Sequence, residues 1–192
     1  MGRNHNAGIN ALLQVSIQPN IGLDSDAREL LIENLNTLLA DEAVLTMKTH
    51  STLWHMRGPS FLDMRTLFDH QSHQLYKISD EIAERIRMLG GFAISSFEEF
   101  INYTRLEARP GEAPGLMGLL ADQEAIVRFL RDDARKCVEE YEDHGTYALL
   151  VRIICLHEKM AWILRSHIEP EISRDESINN KVKSVERKFQ PG

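Results

Sequence analysis

Only two cysteines occur in the 192 residues, Cys137 and Cys155, and they are far from any CxxC spacing. A disulfide scaffold is thereby excluded and a reducing compartment expected. No continuous apolar run approaches the roughly 18 residues of a membrane span. The start, MGRNHNAGINALLQV, has one arginine and no apolar stretch of signal-peptide length. The cytoplasm is therefore the expected location. Basic residues are in deficit: 22 Lys and Arg against 29 Asp and Glu give a net charge of −7, and the first lysine is Lys48. That argues against nucleic-acid binding by the whole surface, though not against a local basic arm. Strand-like alternation is almost absent, and so is self-similarity at periods of about 20–50 residues, which excludes a repeat array.

Present instead are 43% hydrophobic and 27% charged residues, enough for one core without covalent staples. Residues 1–24, punctuated by Gly2, Gly8, Pro19 and Gly22, read as an extended arm. A first helix of about 30 residues starts at Asp24 or Ser25 and stops at Gly58-Pro59; Leu31, Leu35, Leu38, Leu39, Leu45 and Trp54 recur along it at helical spacing. A second starts near Ser60, capped by Ser60 or Asp63, and ends at Gly90-Gly91. SSFEEFINYT reads as a short amphipathic helix capped by Ser95 or Ser96, and RLEARPGEAPG as a connector. A third long helix runs from about Pro114 to Glu142 or Asp143, and a fourth carries YALLVRIICLHEKMAWILRSHI to Pro170. Residues 171–192 read as a polar, partly ordered tail. The pattern predicts an all-α four-helix bundle over 25–170, with a short helix between helices two and three.

The second helix carries two separate faces. Leu67, Leu75, Ile78, Ile82, Ile86 and Leu89 form an apolar band. At about 100° per residue, Asp69, His73, Tyr76, Asp80 and Glu84 fall within one stripe about 80° wide, with Arg65 at its edge. A solvated charged face is the bland account of such a stripe. Asp69 and Glu84 lie about 22 Å apart along the axis, too far to share an ion within one chain. Two copies packed antiparallel about a two-fold axis would bring Asp69 and His73 of one chain opposite Asp80 and Glu84 of the other. Carboxylates plus imidazole suit Fe(II), with zinc as a competitor.

The combination of W-x-x-R-G-P-x-F, the later DEIAERIR-x-LGG and the final LHEKMAWILRSHI resembles the Dps family of miniferritins across about residues 25–168. The resemblance implies a ferritin-like bundle assembling as a hollow dodecamer with two-fold dimer interfaces. It also implies oxidation of Fe(II) at an inter-subunit centre, often with hydrogen peroxide, storage of Fe(III) inside, and protection against oxidative stress. By position, Asp69 matches a ligand from one subunit, and Asp80 and Glu84 match ligands from the other. Two histidines of the family pattern are absent: Leu53 and Arg65 occupy their places. His73, one turn after Asp69, and His50, one turn before Leu53, are the available replacements. Trp54 is expected to pack, and His157 to make a hydrogen bond inside the bundle.

A shell also needs an ion inlet, and EEYEDHGT places Glu142 and Asp143 at the end of the third long helix, where negative charge would focus cations. DNA binding in the family usually relies on a lysine-rich arm. Residues 1–26 hold only Arg3, and the tail offers Lys181, Lys183, Arg187 and Lys188, so weak or no DNA binding is expected. The alternatives are a catalytically impaired shell, its stripe held closed by Arg65, that sequesters metal or binds DNA, and a bundle serving only protein interaction.

Overall fold

The computed structural model describes residues 18–168, and within them the chain forms five helices and no strand. Helix α1 spans Ser25–His55, α2 Phe61–Met88, α3 Phe97–Tyr103, α4 Gly115–Glu139 and α5 His144–Ile168. Short turns at 56–60 and 140–143 make α1–α2 and α4–α5 hairpins, and the long crossover 89–114, which contains α3, joins them. The result is the expected bundle. The expected arm and tail lie mostly or wholly outside the described residues. None of these helices is long and apolar enough to cross a membrane.

Local chemistry sets the ends. The Asp24 carboxylate accepts from the Asp26 amide and caps α1. Ser96 and Glu99 form a reciprocal capping box on α3. The α2 helix closes with Gly90 at φ 87°, while the Gly91 amide donates to the Ile86 carbonyl across the final turn. Gly91 is also packed against Ile32, where a Cβ would come within 2.7 Å of the Ile32 side chain. Helix α4 ends at Glu139, short of the expected Glu142 or Asp143, because Glu142 takes φ 51° and Asp143 turns to cap α5. Its carboxylate receives the Gly145 and Thr146 amides at 2.9 and 3.1 Å.

The core is a continuous cluster of heptad-spaced side chains. Leu31, Leu35, Leu38 and Leu45 of α1 meet Phe68, Leu75, Ile78, Ile82 and Ile86 of α2, and Leu119, Ile126 and Leu130 of α4 meet Leu150, Ile153 and Leu164 of α5. On α2, Met64 and Phe68 are buried and Leu67 only partly, so the apolar band is wider than the sequence reading had it. The crossover is fixed by Arg105. Its guanidinium joins Asp41 of α1 and Asp133 of α4 at 2.8 and 2.9 Å and lies over the Phe129 ring.

Candidate functional site

Because α2 buries one face against α1 and α5, its opposite face is left open. Asp69, His73, Asp80 and Glu84 are all exposed along it, as is Arg65. Arg65 Nε lies 3.8 Å from Asp69 Oδ2, with both side chains more than half exposed. Such a pair contributes roughly 0–1 kcal/mol, too little to hold the stripe closed. Among the described residues, no three His, Cys, Asp or Glu side chains converge closely enough to hold a metal ion. One chain thus presents the ligand-type groups spread along a helix without gathering them, as their axial spacing requires.

The stripe is not purely polar. Leu62 is 73% exposed and Tyr76 68%. On α1, Trp54 is 67% exposed, so the packing expected of it is not met within the chain. The His50 ring stacks on it instead, centroids 6.0 Å apart. Leu53, where the family pattern has a histidine, is only 5% exposed and joins the core. His50 and Leu53 therefore point in different directions, and His50 is half-buried beside the tryptophan.

The two proposed inlet residues differ. Glu142 is exposed in its left-handed turn. Asp143 is buried and committed to capping α5, with Arg85 donating to both carboxylate oxygens at 2.9 and 2.8 Å and the Thr146 hydroxyl donating as well. Burial pushes its pKa up, but the bonds from Thr146 and Arg85 outweigh that and leave it below the ordinary carboxylate value. Its charge is neutralised by Arg85, which corrects the expectation of a free inlet carboxylate. The basic cluster Lys181 to Lys188 lies outside the described residues.

The sequence reading missed a polar layer inside the bundle. Glu42 on α1, Gln71 on α2 and Gln123 on α4 are buried together with the expected His157 on α5. The signal was legible: each occupies a heptad core position between apolar neighbours. Cys137, also buried, has its thiol pushed up to about 12, first by burial and then by Asp143 and Asp133. It is an inert core residue.

Comparison with known proteins agrees with this architecture. A ferritin-like domain family model matches residues 32–171. An uncharacterised low temperature-induced protein of Nostoc sp. is 38% identical over 154 residues, covering 78% of this chain and 86% of its own. DNA protection during starvation protein 2 of Bacillus anthracis is 32% identical over 141 residues, covering 72% and 96%. Among solved structures, DpsC of Streptomyces coelicolor superposes with a TM-score of 0.75 at 29% identity, covering 80% and 91%. A Dps protein of Vibrio cholerae O1, described as a member of a broad superfamily of ferritin-like diiron-carboxylate proteins, gives 0.73 at 27% identity, covering 79% and 97%.

Proposed function

We propose that this chain, which belongs to the ferritin-like family in its Dps branch, oxidises Fe(II) between paired subunits and stores the ferric product in a hollow dodecameric shell. The observation that carries this reading is the open face of α2. It sets Asp69, His73, Asp80 and Glu84 among exposed Leu62 and Tyr76. Large apolar side chains on a ligand-bearing face favour a face that a partner covers. Antiparallel pairing through a two-fold axis would place Asp69 and His73 against Asp80 and Glu84 of the partner subunit, giving two equivalent sites per pair.

Iron is the substrate in this scheme. The carboxylates supply hard oxygen donors that favour the ferric state, and His73 supplies the nitrogen that Leu53 and Arg65 do not. Two ferrous ions provide the two electrons that reduce one hydrogen peroxide to two waters, with uptake of two protons. Exclusion of water by Tyr76 and Leu62 at the pair interface would strengthen carboxylate–iron attraction. The reading in which Arg65 closes the site has less support, because its contact with Asp69 is long and solvated.

Anaerobic Fe(II) titration, followed by peroxide or dioxygen, tests the proposal. Wild type is expected to bind Fe(II) and oxidise it rapidly, and His73→Ala to lose at least tenfold in rate. Unchanged oxidation in His73→Ala and in Asp80→Asn/Glu84→Gln would refute the assignment. A sizing experiment that finds the chain as a 22.0 kDa monomer would remove the shell.

A further inference from the structure

A groove separate from the α2 stripe runs between the first turns of α1, the chain that follows α2, and α3. Its volume is about 690 Å³, within the range of pockets that take a drug-sized ligand. Asn36 of α1 fixes its floor. The Asn36 side-chain amide donates to the Phe92 carbonyl and accepts from the Ile94 amide, each at 3.1 Å. Ile32 is half-buried there against Gly91, while Phe92 and Tyr103 are each 41% exposed. Two large rings are thus left partly bare at a recess that the described residues do not fill.

The rim is acidic. Glu29 and Glu33 stand one turn apart on α1, both exposed. Arg28 is the one cationic residue among those lining the groove, and it is committed: Nη1 donates to Gln18 Oε1 at 3.2 Å and to the Leu89 carbonyl at 3.1 Å. Gln18, where the described residues begin, is itself part of the lining. Pro19 follows, so close to Gly90 that a Cβ there would come within 2.7 Å of the proline ring. The chain is therefore anchored in the wall of the recess, and residues 1–17 precede that anchor.

Their sequence suits the groove. Leu13, Val15 and Ile17 alternate with Gln14 and Ser16, which on an extended chain sets three aliphatic side chains on one side. The stretch carries Arg3 and no carboxylate, and the first acidic residue of the chain is Asp24. A segment tethered at the recess also meets it at an effective concentration on the order of millimolar, which a separate peptide rarely reaches. We propose that Leu13–Ile17 of the same chain occupies this groove in extended form, its aliphatic side chains against Ile32, Phe92 and Tyr103 and its basic end drawn to Glu29 and Glu33. The arm then acts as a strap that ties α1 to the end of α2, and it is not free to reach other molecules.

Hydrogen–deuterium exchange of the full chain tests the strap. Residues 9–17 are expected to exchange at least about tenfold more slowly than the same sequence as a free peptide. That protection should be lost in Glu33→Lys/Phe92→Ser, which changes two exposed side chains. Exchange at the free-peptide rate in the wild type, or equal protection in the variant, overturns the proposal. A second measurement separates the chain's own arm from a neighbouring subunit's. Val15→Cys in a Cys155→Ser background, labelled with a benzophenone, is refolded as a mixture of light and ¹⁵N-labelled chains and irradiated. Cross-links from position 15 to residues 28–36 or 89–103 within one isotopic form support the strap, and links joining light to heavy chains overturn it.

Discussion

Replacing Arg105 by Met should unlock the crossover from the bundle. Arg105 Nε and Nη2 each lie 2.8 Å from Asp41, which is fully buried, and Nη1 lies 2.9 Å from Asp133. The Thr104 hydroxyl and the Arg105 backbone amide still reach Asp41 in the variant, so its carboxylate is not left bare. Breaking a buried pair costs about 3–5 kcal/mol. The Arg105 side chain is 26% exposed, so water shares the loss and the lower end, about 3 kcal/mol, is the working value. For a chain of this size that is a fall of about 6–12 °C in Tm. Thermal unfolding followed by circular dichroism, at one protein concentration and with assembly size checked, measures it. The control is Arg109→Gln, which breaks the Glu107 pair that is more than half exposed on both sides and should shift Tm by no more than about 4 °C. If Arg105→Met cost no more than this control, the clamp would not hold the crossover.

Three further outcomes follow from the geometry. Arg65→Gln should change stability by less than about 1 kcal/mol in chemical denaturation, and Fe(II) binding should be retained or tightened; lost binding would make Arg65 part of the site. Asp143, whose pKa is lowered on folding, contributes stability that is fully present above its unfolded value and lost as pH falls through its folded value. Stability of Asp143→Asn should therefore fall less steeply than that of wild type below about pH 4, and parallel curves would refute the Arg85–Asp143 account. Cys137, with its thiol near 12, should resist a thiol reagent at pH 8 until the chain unfolds. Fast labelling of a Cys155→Ser variant would contradict its burial.

The sequence by itself determined the bundle. Heptad recurrence of Leu and Ile, the Asp24 and Ser96 caps and the Gly90-Gly91 stop are local chemistry, and local chemistry sets helix number and ends. The α2 stripe was equally legible, because helical geometry alone puts Asp69, His73, Asp80 and Glu84 on one side. Only the tertiary structure decided which polar groups are free. Asp143 looks like its acidic neighbours in EEYEDHGT, yet the approach of Arg85 from α2, 58 residues earlier in the chain, turns it into a buried cap. Leu53 and His50 are one turn apart, and packing against the rest of the bundle sends one to the core and the other onto Trp54. Glu42, Gln71, Gln123 and His157 are far apart in the chain and meet only because four helices align their heptads at one level. That coincidence in space, which no local pattern encodes, is what sets Nε2 of His157 beside the Glu42 carboxylate.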